Sequence, residues 1–245
     1  MKCRFTGLSD TGCLRSVNQD AYRIDPQGRF FILADGMGGH AGGEEASSLA
    51  AEVIQSYLVK HWDSPQKSPA LLEEAFCQAN QAIIQDQQEH PERADMGTTA
   101  VVLLFRDSEA PWCAHVGDSR LYRLRQSQLE QITQDHTWVA KALKAGVLSQ
   151  EQASFHPWRH MLSQCLGRED LAEVEIQPVQ VQAGDRFLLC SDGLTEELSD
   201  RAIADLLAAP LCDNAAISLV QAAKDKGGRD NITVVVVVID QIAPR

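Results

Sequence analysis

Five aspartates sit where strongly apolar stretches of this 245-residue sequence begin or end, and they are the residues with chemistry to offer. Asp35 closes "FFILAD" (30–35) and leads into "GMGGHAGG" (36–43), which is five glycines around one histidine. Asp192 follows an apolar run in "FLLCSDGLTEE" (187–197), and Asp118 sits in a tight turn in "AHVGDSRLYRL" (114–124). Asp230 immediately precedes the most apolar run in "GGRDNITVVVVV" (227–238), and Asp20 opens another in "RSVNQDAYRI" (15–24). Any one of them is explained as a good turn residue. Five at the ends of deeply apolar strands, in a chain short of strand-end Lys and Arg, ask for more. Strand ends along one edge of a sandwich converge, and converging carboxylates repel unless cations lie among them.

An all-oxygen ligand set with no Cys or His cluster selects Mg²⁺ or Mn²⁺ over zinc or copper. Asp35 then suits a bridge between two ions, with the Gly36 carbonyl taking a further position because its neighbours carry no side chains. Two such ions are a recurring device for hydrolysing phosphate esters. Arg15, a few residues before Asp20, is the candidate for holding the phosphate, since a guanidinium matches its oxygens bidentately.

The glycine-rich turn also fits G-x-G-x-x-[GA] between a strand and a helix, so a dinucleotide site has to be weighed. That fold needs a second strand soon after the helix, ending in an acid. Here the helical pattern continues to about Trp62 and another helix follows. No G-x-x-x-x-G-K-[ST] occurs either. The glycines alternatively only shape the turn, which leaves the aspartate and its recurrence unexplained.

The elements that must position these residues are legible as patterns. Strand-like runs are expected at 3–8, 20–24, 30–35, 98–105, 112–116, 120–124, 173–179, 185–190 and 232–239. Ala46, Leu49, Ala50, Val53 and Tyr57 form one helical stripe, and Leu72, Ala75, Phe76, Ala79 and Ile83 form another. Ser68 and Pro69 read as the cap and first residue of the second helix, with Pro91 just past its end. A third helix is expected after Asp213, with Leu219, Val220 and Ala223 inward and Gly227-Gly228 ending it. Two consecutive helices between strands, and strands joined by short turns, predict an α+β fold of antiparallel sheets covered by helices rather than a parallel sheet. The stretch at about 133–170 has few strand signals and reads as an insertion.

Composition bounds the rest. The chain is 44% hydrophobic and 23% charged, with a net charge of −12 and no basic stretch, so nucleic acid is not expected as a partner. Seven scattered cysteines without a C-x-x-C pair suit reduced thiols in a cytosol, most of them buried. The opening residues lack the apolar core of a signal peptide, and "VVVVVI" (234–239) is too short to span a bilayer. A soluble, cytoplasmic monomer is the expectation.

With these residues in hand, the sequence closely resembles the metal-dependent protein phosphatases of the PPM (type 2C) family in its bacterial form. The motifs come in the family order: "RSVNQD" (15–20), "ADGMGGHAGGE" (34–44), "MGTTAV" (96–101), "VGDSRLYRL" (116–124), "QDHTWV" (134–139), "CSDGLTEEL" (190–198) and "GGRDNITVVVV" (227–237). Cyanobacterial members look most similar, some of which act on the PII signalling protein. The resemblance covers nearly the whole chain and implies one catalytic domain (1–245) with a flap insertion at about 133–170. Two stacked antiparallel sheets flanked by helices are implied, with Mn²⁺ or Mg²⁺, two or three ions per chain, in a cleft at one end. It implies hydrolysis of phosphoserine and phosphothreonine in proteins by direct attack of a metal-bridging hydroxide.

Carried over residue by residue, Asp35, Asp192 and Asp230 bind the first ion. Asp35 and the Gly36 carbonyl bind the second, with Asp20 acting directly or through water. Asp118 matches a position that binds a third ion with Asp192 in many bacterial members, and Arg15 matches the phosphate-binding arginine. Met37 stands where animal relatives carry a histidine proposed to protonate the leaving alkoxide. His40 is close by in sequence and is one candidate for that role, a metal-bound water is another, and a turn or substrate contact is the plainer reading of His40. His156 and His160 are expected to have surface or packing roles. A catalytically inactive binding module, and a phosphatase of one dedicated regulator or small phosphoester, are the competing functions.

Overall fold

The computed structural model describes residues 2–38, 42–106 and 110–241. Two antiparallel sheets lie face to face. One has the order β1 (Lys2–Asp10), β11 (Ile232–Gln241), β10 (Arg186–Cys190), β7 (Arg120–Arg125), β8 (Gln128–Gln131). The other runs β2 (Asp20–Ile24), β3 (Phe30–Met37), β5 (Ala100–Leu104), β6 (Trp112–Val116), β9 (Glu175–Pro178), and the two-residue β4 (Gly97–Thr98) pairs with the end of β3. Helices α1 (Gly42–Lys60) and α2 (Ser68–Glu89) cover the second sheet. Helices α6 (Asp200–Leu207) and α7 (Cys212–Lys226) cover the first. The expected helix–sheet–sheet–helix sandwich is the observed one.

Side chains alternate across a strand with a period of two, and in the central strands both faces are buried. In β11, Val234, Val236 and Val238 pack under α6 and α7, while Val235, Val237 and Ile239 fill the space between the sheets. In β3, Phe30 and Ile32 face α1 and α2, while Phe31 and Leu33 face the other sheet. This is why these strands read as unbroken apolar runs, and why their polar residues are confined to the ends.

Several boundaries differ from the sequence reading. Residues 98–105 split into β4 and β5, leaving Thr99 between them, and its role is described below. Ser68 is not a cap: Lys67 holds that position, and Ser68 is the buried first residue of α2. Strand β8 escaped notice because "QLEQ" is an exposed edge with little apolar pattern. The short α5 (Asp192–Thr195) and α6 are not among the expected helices. The 133–170 stretch holds two short helices, α3 (Trp138–Lys144) and α4 (Gln150–Ser154), tied to the rest by the bridge Thr98↔Leu166. The cysteines are free thiols, with Cys113, Cys165, Cys190 and Cys212 buried. No described helix is long and apolar enough to cross a membrane.

The layer between the sheets is where the architecture is most exposed to test. Phe187 is fully buried there, edge-on to Phe105 at 6.4 Å. Phe187→Ala is expected to lower the free energy of unfolding in urea by about 3–5 kcal/mol. A loss under about 1 kcal/mol, the scale of a typical surface or marginal change, would contradict a packed inter-sheet layer.

Candidate metal centre

The antiparallel register brings the strand ends together. Asp20 and Asp35 are direct partners across β2 and β3. Asp192 opens α5 immediately after β10, Asp118 lies in the turn between β6 and β7, and Asp230 lies just before β11. All five carboxyls converge. Asp35 is held well above the ordinary carboxylate range by burial first, and then by Asp20, Asp192, Asp118 and Asp230. Asp192 is raised likewise, by burial and then by Asp118, Glu196, Asp230 and Asp20. Burial lifts Asp118 to about 7, with the Asp135 charge adding to it and Arg120 opposing it. Burial also lifts Asp20 to about 6, against hydrogen bonds from Thr233 and Ser191 that favour its ionised form.

Close backbone packing explains two of the glycines. A Cβ on Gly36 would lie 1.9 Å from the Gly43 carbonyl oxygen, and one on Gly193 would lie 2.1 Å from that of Asn231. Any side chain at either position would push apart the turns that carry the aspartates.

Polar residues outside the aspartate set lock each turn. The Thr99 hydroxyl accepts from the Asp35 amide at 3.0 Å and is bonded to the Ser119 hydroxyl at 2.7 Å, while Thr98 donates to the Asp35 carbonyl at 2.8 Å. Asn231 accepts from the Gln19 amide and donates to the carbonyls of Thr11 and Val17, which knits the Arg15 loop to the Asp230 turn. Within that loop, Arg15 reaches Asp230 at 2.7 Å with its side chain half exposed.

The Asp118 turn is clamped from the 133–170 stretch. The His136 amide donates to the Gly117 carbonyl at 2.9 Å, and the Gly117 amide donates to His136 Nδ1 at 3.2 Å. His136 Nδ1 therefore carries no proton, and Nε2 is the donor toward Glu175 at 3.3 Å. His115 stacks on His136, and burial lowers its pKa. Arg120 opens β7 and pairs with Asp135 at 2.6 Å, so the expectation that strand-end cations are scarce fails at the site itself.

Two clefts flank the cluster. One of about 330 Å³ is lined by Asp118, Arg120, Asp135, His160, Asp192 and Glu196. The other, about 300 Å³, lies beside Asp20 and is lined by Ser9, Asn18, Tyr22, Arg23 and Glu44. His160, expected to have a surface or packing role, pairs with Glu196 at 2.6 Å at the rim of the first cleft. His156 instead stacks on Trp138. His40, together with Gly39 and Ala41, lies outside the described residues.

The sequence reading named the aspartates but missed Thr99, Ser119, Ser191, Thr233, Asn231, Arg120 and Glu196. Most sit one or two positions from a named aspartate, and adjacency was the available signal. What the cluster can do follows from its charge. Buried carboxylates packed together, with the Asp20 Oδ1 atom buried and without a partner among the described residues, fit hard divalent cations, which relieve repulsion and desolvation together.

The family model for protein phosphatase 2C matches residues 15–222. The serine/threonine protein phosphatase PstP of Mycobacterium tuberculosis is 37% identical over 236 residues, covering 95% of this chain, which itself spans 44% of the length of PstP. The protein phosphatase PhpP of Streptococcus pneumoniae is 37% identical over 243 residues, covering 96% of each. A crystal structure of the PstP catalytic domain in complex with two manganese ions superposes with a TM-score of 0.83 at 35% identity, covering 98% of this chain and 99% of that one. The chain belongs to the protein phosphatase 2C family.

Proposed function

We propose that this chain is a metal-dependent phosphatase that hydrolyses phosphoserine and phosphothreonine in proteins, as one catalytic domain with the 133–170 stretch as a flap. The observation that carries the reading is the convergence of five carboxylates at the end of the sandwich, where burial and the charges of the other four raise the proton affinity of Asp35. Family membership and the two manganese ions of the PstP catalytic domain support it.

Mn²⁺ or Mg²⁺ at this centre would offset the carboxylate charge and supply a nucleophile from water near neutral pH. Asp35, Asp192 and Asp230 are assigned to a first ion, and Asp35 with the Gly36 carbonyl to a second, with Asp20 beside it. Asp118 and Asp192 are assigned to a third, with Glu196 and His160 both within 4.8 Å of an Asp192 carboxylate oxygen. Arg15 is assigned to the phosphate, a reading supported by its guanidinium standing at the cluster edge paired with the Asp230 carboxylate, with which an anionic substrate oxygen would compete. Met37 has no proton to give a leaving alkoxide, so His40 is carried forward as a candidate donor. A PII-type signalling protein is the substrate proposed for first trial, on the motif resemblance alone. A cytoplasmic monomer is the proposed working form.

Hydrolysis of a phosphoserine peptide and of p-nitrophenyl phosphate is expected with Mn²⁺ or Mg²⁺ and not with EDTA. Asp192→Ala is expected to lose at least about 100-fold, the upper end for removing even an outer partner of a metal ligand. A folded protein with no turnover under either metal would sink this reading in favour of a binding module. Turnover indifferent to EDTA and to the substitution would move the site elsewhere.

The raised carboxylates also set a pH dependence for the metal-free protein. Asp20 and Asp118 rise from an ordinary 3.8 to about 6 and about 7, so the fold binds their protons more tightly than the unfolded chain does. Their contribution is present at low pH and is lost as pH rises through that range. In EDTA, the melting temperature is expected to fall between about pH 5 and pH 8, the span that brackets those values. Asp192→Asn is expected to melt above the unsubstituted protein at the upper end. A metal-free melting temperature that climbs across the window would contradict the reading.

A further inference from the structure

Asp20 is held differently from the other four aspartates, by a chain of buried hydroxyls. Its Oδ2 accepts from the Thr233 hydroxyl at 2.6 Å and from the Ser191 hydroxyl at 2.8 Å. Behind Thr233 stands Ser9, 2.7 Å away and its direct partner across β1 and β11. Asn18 Nδ2 donates to Ser9 at 2.7 Å, and the Thr233 amide donates to the Ser191 hydroxyl at 3.0 Å. Thr233 spends its one proton on Asp20, so Ser9 is the donor in their pair. Every donor in the chain therefore points the same way, from Asn18 through Ser9 and Thr233 to Asp20.

A carboxylate oxygen has two lone-pair sites, and two hydroxyls fill those of Oδ2. Among the described residues, the Oδ1 atom is left buried and without a hydrogen-bond partner. Thr233 and Ser191 are themselves fully buried. Along β11, Thr233 shares a face with Val235, Val237 and Ile239, so it is the first residue of the inter-sheet layer at the metal end. The apolar layer ends in a hydroxyl layer where Asp20 begins.

We propose that Thr233 and Ser191, backed by Ser9 and Asn18, are positioning residues that fix the Asp20 carboxylate so that Oδ1 alone faces the metal centre. Asp20 then meets the second cation, or a water on it, through one oxygen in one orientation, with no rotational freedom to lose when the ion arrives. This rests on the metal reading of the cluster. It assigns a role to two residues that touch neither substrate nor ion.

The test is a calorimetric titration of Mn²⁺ into the metal-free full chain, for the unsubstituted protein, Thr233→Val and Thr233→Ser. Valine has the shape of threonine and suits the flanking valine run, and serine restores the hydroxyl. Thr233→Val is expected to weaken Mn²⁺ binding by about 10- to 100-fold, the usual cost of removing an outer partner of a metal ligand, with Thr233→Ser close to the unsubstituted protein. If circular dichroism in EDTA shows Thr233→Val unfolded, Ser191→Ala reads the other donor to the same oxygen with the same expected weakening. Equal Mn²⁺ affinity in the folded hydroxyl-free variant and the unsubstituted protein overturns the proposal. Absence of Mn²⁺ binding in the unsubstituted protein overturns the metal reading itself, whereas binding indifferent to Thr233 and Ser191 overturns this proposal alone.

Discussion

Mutual repulsion among five carboxylates is the constraint on which the rest of this molecule depends. Asp20, Asp35, Asp118, Asp192 and Asp230 come from five separate segments of the chain, and each of the other four raises the proton affinity of Asp35. A fold does not bring like charges together under burial unless something holds them there. Here the holding is done by backbone. Gly36 against Gly43, and Gly193 against Asn231, leave no space for a side chain. Hydrogen bonds donated by Thr98 and Asn231, and one accepted by Thr99 from the Asp35 amide, fix the main chain around them.

The sandwich supplies the force for this arrangement. Strands such as β3, β5, β10 and β11 bury apolar side chains on both faces, between the sheets and under the helices. That burial is insensitive to which polar residues occupy the strand ends. The ends are therefore free to carry charges that would be intolerable within the strands. The same division explains the hydroxyl layer of Ser9, Ser191 and Thr233, which lies where the inter-sheet core gives way to the cluster. The clamp from His136 and Arg120 then ties the 133–170 stretch to the Asp118 turn, so that one rim of the cleft is built from that stretch.

The sequence made the two-faced strands and the aspartates legible because both are local. A run such as "VVVVVI" can only be a strand buried on both sides or a piece of buried helix, and the flanking turns decided between them. Asp35 follows an apolar run directly, and Asp192 follows one after a single serine. What stayed hidden depends on register. Thr233 looked like one more β-branched residue in an apolar strand, and only its pairing opposite Ser9 and its reach to Asp20 give it a role. Arg120 reads as an ordinary strand residue, and only its hydrogen bonds to Asp135, 15 positions away, give it a role. Strand β8 and helix α5 were hidden for a different reason: four residues carry too little periodicity to be read.

If cation binding is what this cluster is for, its ions must share a ligand. The most direct measurement is electron paramagnetic resonance of the full chain as Mn²⁺ is added stepwise. Asp35 acting as the shared ligand proposed above would put two ions close enough for their spins to couple, about 3.5–4 Å apart in such sites. The account therefore predicts that a six-line signal from isolated ions gives way to a broad exchange-coupled spectrum as the second equivalent binds. A signal that stays that of isolated ions at two equivalents, or Mn²⁺ that remains free in solution, would contradict it.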